Sequence, residues 1–139
     1  METMATGYSG TPLIKKLGIQ TDTSVQLINP PGNYFTLLET DISEQLVQKT
    51  GIPDLVHLFV TARKEFEGEM KKIRKLILQN PKMVIWVSWY KKSSGMVTDL
   101  TEDVIRNFAL HNDLVDVKVC AVSDLWSGLK LVVPLSKRK

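Results

Sequence analysis

The chain has 139 residues, of which 43% are hydrophobic and 24% charged, enough for one domain with a sizeable core and too few for two. Its single cysteine, Cys120, excludes an intrachain disulfide, and no apolar run is long enough for a membrane span or, over residues 1–10, for a secretory leader. The net charge of +3 is small and partly carried by Lys137, Arg138 and Lys139, so nucleic-acid binding is a minor reading and a soluble cytoplasmic protein the main one.

Residues 1–10 read as a flexible lead, 11–134 as one domain and 135–139 as a basic tail. Thr11-Pro12 opens a short helix, with threonine as N-cap and proline at the first helical position. Leu13, Ile14 and Leu17 give it an apolar face, and Gly18 is its left-handed stop. Residues 25–28 read as a strand, cut sharply by Asn29-Pro30-Pro31-Gly32. Asn33 then caps a short helix carrying Tyr34, Phe35, Leu37 and Leu38. Residues 42–49 are ambiguous: Ile42, Leu46 and Val47 fit a helical face, while a short edge strand around 44–48 suits the architecture better. Residues 55–60 are a nearly continuous apolar run, the pattern of a strand buried on both faces.

The spacing of Phe66, Met70, Ile73 and Ile77 predicts a helix over 63–79. Glu65, Glu67 and Glu69 lie in its first half and Lys71, Lys72, Arg74 and Lys75 in its second, the order that complements the helix dipole. Glu67 and Lys71 form a predicted i,i+4 pair, and the basic run reads as a solvated face. Asn80-Pro81 ends the helix. Residues 83–89 form a second central strand, and a polar loop over 90–98 leads to a helix capped by Asp99, with Glu102 as capping-box partner, or by Thr101. Leu100, Val104, Ile105 and Phe108 are its buried stripe. Strands over 115–122 and 129–133 stand too close for a crossover, so they form a hairpin. The expected fold is α/β: a three-layer, mostly parallel Rossmann-like sheet with a C-terminal antiparallel hairpin, in which 55–60 and 84–89 are neighbours.

No catalytic constellation and no metal site emerge. His57 and His111 are far apart in sequence and Cys120 has no second thiol. His57, inside an apolar strand, reads as a hydrogen-bonded core histidine; His111 suits a helix C-terminus, and Cys120 reads as a small buried hydrophobe. There is no G-x-S-x-G elbow, no phosphate-binding loop and no H-E-x-x-H pair. The first strand leads into two rigid prolines where a dinucleotide turn needs glycines, so no cofactor is expected.

The unusual segment is 88–99, which joins the carboxyl end of a central strand to a helix start. Open α/β sheets hold ligands at that edge, where strand order reverses. The candidate ligand-binding residues are Asn29, Gly32 and Asn33 after the first strand, Thr61 and Arg63 after the second, and Ser88, Lys91, Lys92, Ser94 and Gly95 after the third, with Tyr8 and Ser9 folding over the same edge. Lysine supplies charge, serine and asparagine supply hydrogen bonds, and glycine permits close backbone approach. The alternative is a solvated polar connection. Trp126-Ser127-Gly128 is a weaker candidate, since a tryptophan before a tight turn commonly covers a core edge.

Three stretches carry a resemblance: Tyr8-Ser9-Gly10-Thr11-Pro12-Leu13 with Lys15-Lys16-Leu17-Gly18-Ile19; Val87-Ser88-Trp89 with Lys91-Lys92 and Thr98-Asp99-Leu100-Thr101-Glu102-Asp103-Val104-Ile105-Arg106; and Val115-Asp116-Val117-Lys118-Val119-Cys120-Ala121-Val122 with Trp126-Ser127-Gly128-Leu129-Lys130. Together they resemble an uncharacterised family of small bacterial proteins, a domain of unknown function, over residues 7 to about 133. A looser resemblance is to the second half of the S-adenosylmethionine-dependent methyltransferase fold, which implies a reduced methyltransferase-like sheet. The first half departs from that fold, because the glycine-rich cofactor turn is missing.

Three functions follow. The first is a non-catalytic module that binds a small anionic ligand or a protein partner at the carboxyl edge of the sheet. The second is a reduced S-adenosylmethionine-dependent methyltransferase-like enzyme, supported by architecture alone. The third is weak nucleic-acid binding through Lys15, Lys16, Lys91, Lys92 and the basic tail, with Trp89 and Tyr90 as stacking groups.

Overall fold

Leu55–Phe59 (β2) is buried at every position, because it has strand partners on both edges and packed layers on both faces. It pairs in parallel with Val25–Ile28 (β1) on one side and Val84–Tyr90 (β3) on the other. Beyond β3 the direction changes: Trp126–Val132 (β5) runs antiparallel to β3 and to Val115–Ala121 (β4), so the strand order is β1-β2-β3-β5-β4. The expected parallel run closed by a C-terminal hairpin is the observed sheet, in a computed structural model that describes residues 11–47 and 51–138. The lead over 1–10, with Tyr8 and Ser9, part of the ambiguous 42–49 segment and the last lysine lie outside the described residues.

Alternation along the strands sorts the core into two layers. Val56, Leu58, Ile85 and Val87 pack under Arg63–Ile77 (α3) and Glu102–His111 (α4), which contribute Phe66, Met70, Ile73, Ile105 and Ala109. Leu55, Phe59 and Trp86 face the opposite way, under Leu13–Leu17 (α1) and Tyr34–Leu38 (α2). The Trp86 indole donates to the Leu17 carbonyl at 2.9 Å, which ties the end of α1 to the middle of the sheet. That helix stops where expected, at Gly18 with φ 82.

Several local expectations need correction. Pro12, not Thr11, is the N-cap of α1, and its carbonyl accepts from the Lys15 and Lys16 amides. Asn33 stands at the N-cap of α2 without a side-chain bond. Ser43–Gln45 is a 3₁₀ turn, opened by the Asp41 carboxylate accepting from the Ser43 amide, and among the described residues of the segment a single bridge, Leu46 to Val25, stands in place of the expected edge strand. Glu67 pairs with Arg63 (3.4 Å) and not with Lys71, because α3 starts at Arg63 and sets a guanidinium one turn upstream. Strand β5 begins at Trp126 and not at 129, because the Ser123 hydroxyl accepts from the Leu125 and Trp126 amides and tightens the hairpin.

The Leu46 bridge fixes where connections reverse. The Ser24 carbonyl accepts from the Leu55 amide, and the Val25 carbonyl accepts from the Val47 amide. Successive carbonyls of a strand point to opposite sides, so Leu46 lies outside β1. The chain therefore runs outward from β1 and then returns inward to β2, with α2 on one face and α3 on the other.

Gly128 lies opposite Ser88 on β3 and Cys120 on β4. A Cβ there would meet Val122 Cγ2 at 3.1 Å and Trp86 Cε3 at 3.3 Å, inside the packed α1–α2 layer. Gly128→Ala is expected to destabilise the fold by about 1–3 kcal/mol through overpacking, read as a lower urea midpoint at unchanged slope.

Candidate functional site

The parallel strands β1, β2 and β3 end on one edge, and the connections from β1 and β2 diverge there to opposite faces. Open sheets place ligands in this kind of crevice. Here a carboxylate of the chain fills it. Asn29 ends β1 in the left-handed region, φ 55, a conformation asparagine tolerates, and its Nδ2 donates to Glu65 Oε2 at 3.3 Å. Glu65 Oε1 accepts from the Thr61 amide at 2.8 Å and from the Thr61 hydroxyl at 3.4 Å. Glu65 sits in the first turn of α3, where negative charge also suits the helix dipole.

A second carboxylate completes the start of α3. Asp99 Oδ1 accepts from the Arg63 amide at 2.7 Å, across a sequence separation of 36 residues. The Thr98 hydroxyl donates to the Thr61 carbonyl at 2.6 Å and accepts from the Leu100 amide at 3.0 Å. Asp99 is thus not the cap of α4; Thr101 is, with its hydroxyl accepting from the Val104 amide at 3.3 Å.

Of the residues nominated from sequence, Asn29, Thr61 and Arg63 meet around these carboxylates. Gly32 and Asn33 precede α2 and send no side-chain bond to the crevice. Lys91, Lys92, Ser94 and Gly95 stand further along, toward β5, where the Lys91 amide donates to the Leu125 carbonyl at 2.8 Å. Lys92–Ser94 is a 3₁₀ turn closed by Gly95 at φ 78, and the Ser94 hydroxyl donates to the Lys91 carbonyl at 2.6 Å. Neither lysine ammonium has an ion-pair partner among the described residues. Beyond them, Met96 is 48% and Val97 95% exposed. Glu65 is the edge residue that sequence reasoning missed, while Thr98 and Asp99, within the segment singled out from sequence, serve the start of α3 and not the helix that follows them. An acidic side chain four residues after Thr61, in a first helical turn, was the available signal for Glu65.

Ser88 is elsewhere: it lies inside β3, 0% exposed, facing the α1–α2 layer. Its hydroxyl is 2.7 Å from His57 Nε2, and the Tyr34 hydroxyl is 2.8 Å from His57 Nδ1. His57 is also 0% exposed, stacked on Phe59 with ring centroids 4.4 Å apart. It is the hydrogen-bonded core histidine the sequence predicted. Burial holds the imidazole neutral, with its pKa down at about 3, and raises that of Tyr34. A hydroxyl–imidazole–hydroxyl chain with these distances resembles a nucleophile and its base, yet it is sealed from substrate. Burial also raises the Cys120 thiol.

Known proteins bear on the fold alone. No protein-family model matches the chain, and no curated protein matches it in sequence. Among solved structures, an uncharacterised protein from Listeria monocytogenes serotype 4b is similar at a TM-score of 0.58 and 6% identity, over 93% of this chain and 70% of that one. A Streptococcus agalactiae protein of the NADB-Rossmann superfamily gives 0.47 at 8% identity, over 92% of this chain and 70% of that one. A Streptococcus pneumoniae protein described as a candidate tRNA methyltransferase, in complex with S-adenosyl-L-methionine, gives 0.49 at 7% identity, over 85% of this chain and 58% of that one.

Two outcomes follow from this geometry. The folded-state pKa of His57 lies below its ordinary 6.5, so the unfolded chain takes up the proton first as pH falls. Its contribution to stability is whole above pH 6.5 and is lost as pH falls toward 3, at a slope approaching about 1.4 kcal/mol per unit. Urea unfolding at pH 7 and pH 5 should differ by about 2 kcal/mol from this ring, a difference absent in His57→Gln. Separately, Glu65→Ala leaves the Thr61 amide without its cap and should lower stability by about 0.5–2 kcal/mol in the same assay at pH 7.

Proposed function

We propose that this protein is a non-catalytic binding module whose ligand or partner presents an anionic group to Lys91 and Lys92 at the carboxyl edge of the sheet. The observation that carries this reading is the charge pattern of that edge. Glu65 and Asp99 are engaged at the start of α3, while the two lysine ammonium groups have no ion-pair partner among the described residues. Met96 and Val97 expose apolar surface on the same loop, which favours a protein partner over a bare anion. An anion entering the crevice itself competes with Glu65 for the Thr61 amide and the Asn29 amide group. The sealed Ser88–His57 pair supports a role without catalysis, since substrate has no path to it.

A reduced methyltransferase-like enzyme is the competing reading. The Asn29-Pro30-Pro31 turn and the carboxylate of Glu65 stand against a nucleoside cofactor between β1 and β2. Native mass spectrometry of protein purified from its own host is expected to reveal a retained anion or partner, and Lys91→Ala with Lys92→Ala is expected to lose it. Thermal stability should change by less than about 0.5 kcal/mol, because surface lysines contribute little to folding. Unaltered retention in the double variant removes the carboxyl-edge reading. Low-micromolar S-adenosylmethionine binding by calorimetry instead favours the enzyme.

A further inference from the structure

At the opposite edge, the second half of α3, the turn between α4 and β4 and the chain following β5 enclose an open groove of about 820 Å³. Leu114 and Val133 line it with little surface of their own, being buried members of the core, while Leu78 projects beside it, 83% exposed. Lys71, Arg74 and Lys75 line it, and none of the three has an ion-pair partner among the described residues. Among the described residues Asp113 is the only carboxylate in the lining, and it is already paired with Lys137 at 3.1 Å. The dipole explains why cations gather near the end of α3. It does not explain a leucine, Leu78, projecting into water among them.

We infer that this groove is a docking surface for an acidic protein segment that carries an apolar anchor. Charge complementarity selects the acidic partner, with three unpaired cations facing one neutralised carboxylate. Leu78 selects the anchor, since a leucine-sized side chain packed against it removes apolar area from water. Single-stranded nucleic acid is the poorer fit, because the lining offers no aromatic ring on which a base could stack. This surface is separate from the carboxyl edge and does not depend on the proposal made for Lys91 and Lys92.

The test is fluorescence anisotropy of the full chain with a labelled synthetic peptide of glutamate and leucine at helical spacing. Polyglutamate and oligothymidylate of equal length are the comparators. Saturable binding of the peptide is expected, weakening with salt, with polyglutamate bound at least about tenfold more weakly. Lys71→Gln with Arg74→Gln and Lys75→Gln should reduce peptide affinity by about tenfold or more, with a melting temperature lowered only modestly by the lost helix-dipole contacts. Leu78→Ser, at an exposed position that leaves folding intact, should weaken the peptide and not polyglutamate, and so provides a second readout if the triple variant misfolds. Lys91→Ala with Lys92→Ala should bind the peptide as the parent does. Absence of saturable binding, full affinity in either groove variant, or loss of binding in the Lys91/Lys92 variant overturns the inference. Tighter binding of oligothymidylate than of peptide does so as well.

Discussion

A strand with partners on both edges and layers on both faces excludes water along its length, so a ring with two nitrogens in its middle must find both partners within the protein. His57 is that ring in β2. Tyr34 reaches it from α2 and Ser88 from β3, so one imidazole joins a helix and two strands. The register of β2 and β3 sets Phe59 against Ser88 and His57 against Trp86. A slip of one residue would turn the Ser88 hydroxyl to the α3–α4 side and leave Nε2 unpaired in an apolar layer. The same layer needs Gly128 to leave room for Trp86 and the end of α1. Ser88 therefore belongs to the core and not to the loop that follows it.

The other organising element is α3, which separates charge along its own axis. Its first turn lies among carboxylates, with Glu65 and Asp99 accepting from the Thr61 and Arg63 amides. Its second half carries Lys71, Lys72, Arg74 and Lys75. Both arrangements lower the energy of the helix ends. The buried face of Phe66, Met70 and Ile73 holds this charged rod against the sheet. At one edge of the sheet the Thr61 and Arg63 amides are thus satisfied internally, while the opposite edge has cations beside an exposed leucine, Leu78.

What was legible in the sequence was local. The nearly continuous apolar run of β2, the helical spacing of α3 and the short link between β4 and β5 each express a rule that acts within a dozen residues, and each is present in the fold. Convergence of Asn29, Thr61 and Arg63 was also legible, because parallel strands deliver their carboxyl ends to one edge whatever the loops contain. What failed to show was which long-range partner wins a polar group. Asp99 fits a cap for the helix that follows it, yet it caps one that begins 36 residues earlier. Ser88 sits at a predicted strand end, and only the position of His57 on the neighbouring strand draws its hydroxyl inward. The strand expected around 44–48 gives way to a turn over 43–45, where the Asp41 carboxylate accepts from the Ser43 amide.

Glu65 changes what the fold can be asked to do. In an open α/β sheet the crevice at the reversal of connections offers backbone amides to a ligand. Here the Thr61 amide and the Asn29 side chain already hold a carboxylate delivered by the same helix that frames the crevice. A tethered group has a high effective concentration, so a free carboxylate or phosphate must exceed its contacts to displace it. On the proposed reading, recognition moves to groups that have no ion-pair partner among the described residues, the Lys91–Lys92 loop and the Lys71–Arg74–Lys75 groove. Both are cationic and would attract the same acidic partners at long range. Discrimination between them then rests on the apolar neighbours, Val97 projecting from a loop at one site and Leu78 standing beside a groove at the other, because shape differs where charge does not.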